Sequence, residues 1–588
     1  MNKNNGLLPI SIGITGHRDV DPNQIESCKA SLEKLFKALA RKFPSTPLQL
    51  ISSLAEGADR LAAQAFLNAR EELISLDQVV AAEWHLIACL PLPAEIYETD
   101  FLSTKHEFYD LLSRSSKNFS VPIRIEASTE TISINGIDRD IQYQDASRFV
   151  ASHSDILIAV WDGIENGLIG GTADTVRLRV TGHKLDKFQK LSSLAVQSRH
   201  VVYHINVTRA SNPQGTQATF LENVYTDHEK LINACDFLGH VELFNSAVLH
   251  ELADKDFEQS QTYLSGYLKR HSVEFKKHFT FNHLIDFYSS ADGLANNYRS
   301  VWLAWVKSLY GIGLISAILL PMAVENVLFP YSMMGYVLLM AVAVGIFAWL
   351  KRTALESKHL DCRALAELMR IQFFFAVSEF WREPEITEPT KLASVTIMPA
   401  TVSARLIGQH HFDLDWISER VRNLILIAET NQPLAPETAE KLVIGWVIDQ
   451  NKYYNKKHRE FKIIAERFSF ASSAMLLGGL LAALLAIFGS MLNLLNEEVH
   501  HLVVILSAAL PIMAVVVESY VDKLAFEPSI KVQSRMGQIY AEAERLIKIE
   551  GMSIEDKKSV ISQLADEAIN ECISWLFLKK IKPVKLPT

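Results

Sequence analysis

Three short stretches hold residue types suited to binding phosphate and ribose. The first is Thr15-Gly16-His17-Arg18-Asp19. The second is Ser52-Ser53-Leu54-Ala55-Glu56-Gly57-Ala58-Asp59, and the third is Asp162-Gly163 followed by Gly170-Gly171-Thr172-Ala173-Asp174-Thr175. Glycine lets backbone N–H groups come close to an anion, and a helix amino terminus adds a favourable dipole. A guanidinium such as Arg18 neutralises phosphate charge, and a carboxylate such as Glu56 or Asp162 accepts ribose hydroxyls. One such turn is weak evidence. Three, each following an apolar run, predict a nucleotide site.

The elements that must position these turns are legible in the apolar patterning. Leu8–Thr15, Leu48–Ser52, His85–Leu90, Ile156–Trp161 and His200–Ile205 read as strands. Helical patterns separate them. The helix opening at Asp21-Pro22-Asn23-Gln24 combines a capping Asp, a Pro in the first turn and a Gln three residues after the cap. Its apolar face comprises Ile25, Cys28, Leu32, Leu35, Phe36 and Leu39. A further helix is expected from about Arg60. Strands alternating with helices predict an α/β Rossmann-like, doubly wound parallel sheet. Ligands bind such sheets at the carboxyl ends of the strands.

The ordered series GITGHRD, SSLAEGADRLAA, LPLPAEIYETDF, SDILIAVWDG and GGTADTV resembles the SLOG superfamily over roughly residues 8–205. That group embraces DNA-processing protein A, the LOG phosphoribohydrolases and nucleotide-sensing modules of bacterial defence systems. The resemblance implies a nucleotide pocket. Thr15, Gly16, His17 and Arg18 belong to its first turn, Ser53, Glu56, Gly57 and Asp59 to its second, and Asp162, Gly163, Gly170, Gly171 and Thr172 to its last. The LOG hydrolases are similar to a pattern of two glycines, a spacer, Gly-Thr, two spacers and a catalytic Glu. Here Thr172 follows Gly171 directly and position 175 is Thr, so the acid is missing or displaced. That favours binding over hydrolysis, with Glu56 or Asp174 as the substitutes an enzyme would need.

The remainder of the chain is organised by two apolar stretches. Trp302–Val324 with Tyr331–Leu350, and Phe468–Leu495 with Val499–Tyr520, are four runs each long enough to cross a bilayer, which takes roughly 20 apolar residues. The turns at Glu325–Pro330 and Asn493–His501 lack Lys and Arg, whereas Arg299, Lys307, Lys351, Arg352, Lys462, Arg467 and Lys523 flank the outer ends. Cationic residues accumulate on the cytoplasmic side. Both termini are therefore expected in the cytoplasm of a multi-pass inner-membrane protein. No mid-membrane charge marks an ion-coupled transporter, so a pore would have to come from homo-oligomerisation; the other outcome is a simple anchor. Past Leu350 no breaker appears before Pro384, and the helix is expected to continue.

The pattern helix, hairpin, helix occurs twice and suggests a duplicated unit. The second copy resembles the SLATT group of two-helix membrane effectors, through Asp449-Gln450, Tyr453-Tyr454 and the helix after the hairpin, over about residues 440–550.

With 588 residues, 49% hydrophobic content and a mean hydropathy of +0.10, the chain has room for a soluble domain and a membrane part. The net charge of −9 argues against direct nucleic-acid binding. The five cysteines lack metal-ligand spacing and frame no disulfide scaffold. The expected division is a nucleotide-binding domain at 1–225, a helical connector at 226–300, the first hairpin and its cytosolic helix at 301–383, a cytosolic connector at 384–445, the SLATT-like hairpin with flanking helices at 446–575 and a basic tail at 576–588.

By resemblance, the expected function is a membrane-bound receptor. Its SLOG-like domain would sense a cyclic or NAD-derived nucleotide second messenger. The signal would then trigger oligomerisation or gating of the helices and make the bilayer leaky in anti-phage defence. No other cofactor and no metal is expected. The alternative is a membrane-anchored enzyme that hydrolyses a nucleotide or NAD.

Overall fold

The computed structural model describes residues 3–123, 127–164, 169–181, 201–215, 223–270, 279–379, 415–424 and 436–581. The chain divides into two compact units, Met1–Ser290 with Leu368–Ala439, and Ala291–Glu367 with Glu440–Thr588.

The first unit contains a seven-stranded sheet. Its strands are β1 Ile10–Gly16, β2 Leu48–Ser52, β3 His85–Leu90, β4 Lys117–Ser120, β5 Ile156–Trp161, β6 Val201–Asn206 and β7 Val224–Tyr225. The order is β4-β3-β2-β1-β5-β6-β7 and every pairing is parallel. The helices around it are α1 Ile25–Lys42, α2 Ala58–Ser75, α3 Ala94–Tyr97, α4 Lys105–Arg114, α5 Thr129–Ser133, α6 Ile137–Ser152 and α7 Thr172–Thr181.

Side chains alternate across the sheet. Ile156, Ile158 and Val160 join a core with Leu32, Phe36, Ala62 and Phe66 of α1 and α2. Leu157, Ala159 and Trp161 join a second core with Ala146 and Val150 of α6 and Val176 of α7. A strand covered on both faces has no solvent side, which is why ILIAVW reads as one apolar run. The two added strands are edge pieces. Lys-Asn-Phe-Ser is short and partly exposed, and β7 is a two-residue bridge, so neither carries an apolar signature. The Asp21 carboxylate accepts the Asn23 N–H at 3.0 Å. Gln24 does not close a capping box; its side-chain oxygen accepts the Thr208 N–H at 2.8 Å.

After the sheet come α8 His228–Ala234, α9 Gly239–His250 and α10 Asp254–Arg270, which belong to the first unit. A further helix, α14 Asp415–Leu424, belongs to this unit. The expected loop at 384–403 and the last residues of the basic tail, 582–588, lie outside the described residues. Residues 576–581 continue a helix.

The second unit is helical. Its elements are the distal part of α11 Phe279–Val324, α12 Tyr331–Thr353, the start of α13 Leu355–Glu379, then α15 Pro436–Met491, α16 Glu497–Leu524, α17 Phe526–Ile547 and α18 Ile554–Ile581. Four of these helices are long and apolar enough to cross a membrane. The helix after Leu350 does not run on unbroken. It stops at Ala354, which is left-handed at φ 48°, and restarts at Leu355. Ala525 does the same at φ 52° between α16 and α17. A left-handed alanine costs roughly 1–2 kcal/mol. No Gly or Pro announces the break at Ala354, whereas Pro528, in the first turn of α17, marks the one at Ala525.

Candidate functional site

Strand order reverses between β1 and β5. From β1 the chain steps to β2, β3 and β4 on one side; from β5 it steps to β6 and β7 on the other. The register pairs Thr15 with Ala159 and Gly16 with Val160, so the predicted first and last turns leave the sheet side by side at this switch point.

The first two turns are zipped together by backbone. His17 N–H donates to the Val160 carbonyl and Ala58 N–H to the His17 carbonyl, both at 3.0 Å. A Cβ on Gly16 would sit 2.6 Å from the Val160 oxygen. Gly57 has φ +82°, and a Cβ there would lie 2.4 Å from the Arg18 oxygen. These glycines thus serve backbone-on-backbone packing. Leu54, left-handed at φ 53°, is held by Arg60, whose Nε donates to its carbonyl at 3.1 Å. Arg60 is buried, bonds Glu107 at 3.1 Å and stacks over Phe101 at 4.4 Å.

The acidic and basic candidates have specific partners. Asp59 accepts the Ser53 N–H at 3.2 Å inside its own turn. Burial pushes its pKa up to about 7, against the pull of the Ala55 and Ser53 N–H groups and of Arg18 and Arg60. Glu56 accepts the Thr104 hydroxyl at 2.9 Å. His17 is buried, and its Nε2 accepts the Asp162 N–H at 2.9 Å, with the Asp162 carboxylate 3.0 Å away. Burial, with help from Arg209, lowers the His17 pKa despite Asp162 and Asp19, so its imidazole is neutral. Asp162 is also buried. Burial alone would raise its pKa, but the Ile164 N–H, His17 and Arg209 outweigh that and hold it below the ordinary carboxylate value. Arg209 reaches Asp162 at 3.2 Å and Asp19 at 3.5 Å.

In the third turn Gly163 and Gly170 have φ +78° and +71°. Asp174 accepts from Gln144 at 3.0 Å, Gly170 N–H at 3.2 Å and Arg177 at 2.8 Å, and so clamps the turn at the start of α7. Thr172 is the first residue of that helix, and the Thr175 hydroxyl points back to the Gly171 carbonyl at 3.0 Å.

Arg18 is different. Its side chain is 46% exposed, its guanidinium nitrogens are 3.4 Å from Asp100 and it lies 5.3 Å from the Tyr143 ring centre. Tyr143 lies between the first and third turns. Its hydroxyl donates to Asp100, its ring faces Arg18, and the backbone at Tyr143 and Gln144 is where a Cβ on Gly170 would collide. Asp100 also accepts from Arg139 at 2.6 Å. The pattern of strand-end turns did not indicate Tyr143, Asp100, Arg139 or Arg209. Arg209 had a signal in its place three residues beyond β6, at the same sheet edge.

No family model and no curated protein matches this chain.

Among the described residues no cluster of three or more His, Cys, Asp or Glu is placed to hold a metal ion. The arrangement is suited to an anion with polar substituents. Arg18 supplies a half-exposed cation beside Asp100, and N–H groups at the start of α7 lie in the turn packed on Tyr143. Asp174 and Glu56 are committed to neighbours and are not poised as a general acid.

Proposed function

We propose that the chain is a membrane-bound receptor for a nucleotide second messenger, cyclic or NAD-derived, whose parallel-sheet domain is SLOG-like and whose helical unit is SLATT-like. Binding shifts the assembly or gating of the membrane helices, and the leak that follows serves antiviral defence in a bacterial cytoplasmic membrane. The observation that carries this reading is Arg18 at the β1/β5 switch point, its side chain half exposed beside Asp100 and its turn locked to the Glu56-Gly57 turn. Orientation follows the positive-inside rule, with both termini and the sheet domain in the cytoplasm. The ligand must favour one assembly over another, because equal affinity shifts nothing.

The test is mass spectrometry on the full chain in detergent after incubation with cyclic oligonucleotides, NAD and ADP-ribose derivatives. The full chain is needed because Arg420, far outside the sheet segment, completes the first unit. A nucleotide recovered intact supports the receptor, and Arg18→Ala and Gly171→Ala should then abolish liposome leakage while membrane insertion persists. A nucleotide consumed, with base or ribose released, makes this an anchored hydrolase. Retention of none overturns both.

A further inference from the structure

The two hairpins of the helical unit are built alike around the left-handed alanines. Trp349 stands five residues before Ala354 and packs on Trp305 of its own hairpin, ring centres 5.1 Å apart. Tyr520 stands five residues before Ala525 and packs on Phe468 of its own hairpin at 5.8 Å. A cation precedes each alanine by two positions, Arg352 and Lys523, and a glutamate follows each by two, Glu356 and Glu527.

The contact between the hairpins uses half of that repeated set. Lys523 of the second hairpin bonds Glu356 of the first at 2.6 Å and lies 5.6 Å from the Trp302 ring centre. The first helix of hairpin one meets the second helix of hairpin two again where Tyr310 packs on Tyr520 at 5.3 Å. A two-fold pairing would bring Arg352 to Glu527 as well. Instead Arg352 is exposed, and the Glu527 side chain is 83% exposed, its ion pair with Lys531 on its own helix stretched to 3.6 Å. The contact is therefore head-to-tail. Burial agrees: in their most apolar stretches α11 and α16 are 28% and 33% buried, but α12 and α15 are 17% and 11% buried.

We infer that a second copy of this chain occupies the open ends. The α12 face of one copy packs on the α15 face of the next and pairs Arg352 with Glu527, repeating between chains the contact that Lys523 and Glu356 make within one. A head-to-tail contact of this kind propagates and closes into a ring when its rotation allows. The inference goes beyond the nucleotide reading and does not depend on it, since it requires only that the helices share a bilayer.

The test is disulfide trapping in membranes. Each of the five native cysteines is buried, so wild type provides a low background. Arg352→Cys and Glu527→Cys chains, expressed together and oxidised, should give a band at twice the monomer mass of 66.1 kDa. Either variant alone should not. A band from one variant alone would mean a two-fold interface and overturn the proposal. So would a monomeric mass for the wild-type chain in nanodiscs. As a second readout, Arg352→Glu should lower the assembled mass and the pair Arg352→Glu with Glu527→Arg should recover it; failure of the swap to recover it would equally count against the pairing.

Discussion

Arg420 closes a buried ion pair with Asp155, 265 residues earlier in the chain, at the amino-terminal edge of β1 and β5. Asp155 also accepts the Ser11 N–H at 2.7 Å, and Arg420 donates to the Pro9 carbonyl at 2.5 Å. Helix α14, which lies between the two apolar hairpins in sequence, is thereby part of the sheet unit. Removing one partner strands a buried charge, which typically costs about 3–5 kcal/mol. Arg420→Met should lower the thermal midpoint of the solubilised protein, and adding Asp155→Asn should restore most of the loss. Equal midpoints for Arg420→Met and wild type would show that α14 contributes little to this unit.

Asp59 predicts an unusual pH dependence. Its folded pKa, about 7, lies above its ordinary value of 3.8. Between those values the folded chain holds a proton that the unfolded chain releases, so this contribution to stability falls as pH rises from about 4 to about 7. Asp59→Asn should flatten that part of a stability-against-pH curve measured by denaturant unfolding. An unchanged slope would place the titration elsewhere.

His17 acts in the opposite sense. Its pKa is lowered, so below its ordinary value of 6.5 the unfolded chain binds the additional proton and stability falls as pH drops. His17→Phe should remove that acid-side loss and also leave the Asp162 N–H without its acceptor, at a cost of about 1–3 kcal/mol. A selective loss of ligand binding without any loss of stability would instead make His17 a ligand contact.

Gly57→Ala should destabilise the sheet unit by more than the roughly 1–2 kcal/mol of a left-handed alanine, because its Cβ also meets backbone oxygen 2.4 Å away. Arg18→Ala, at a half-exposed position, should leave the unfolding free energy within about 0.5 kcal/mol of wild type. The two variants separate a folding defect from a binding defect. If Arg18→Ala unfolds the protein, its partnership with Asp100 and Tyr143 is structural.

Sidedness is checked by labelling. A cysteine at Asn493, in the turn between α15 and α16, should react with an impermeant maleimide applied to intact cells. One at Lys548, after α17, should react only once the membrane is opened. The reverse pattern would invert the proposed topology.

Much of the architecture was legible because burial leaves a pattern. Ile156–Trp161 is apolar on both faces, and its bounds match the strand. Cys28, Leu32, Leu35, Phe36 and Leu39 recur at helical spacing and are buried together. Four apolar runs became four helices of membrane-crossing length, because length and composition alone decide that property. The turns after β1, β2 and β5 were found because a parallel sheet must place its strand ends at one edge.

Tertiary structure decided what depends on neighbours distant in sequence. Whether Gly16 and Gly57 face a ligand or another turn is set by the approach of α2 to β1, which no local window contains. Tyr143 gains its position from Arg18 and Asp100, and Arg420 from Asp155, through contacts 43 or more residues away. Ala354 carries no local signal for a break, since alanine is the strongest helix former, whereas the break at Ala525 is marked by Pro528 in the first turn of α17. Only the tertiary structure shows that Lys523, two residues before Ala525, pairs with Glu356, two residues after Ala354.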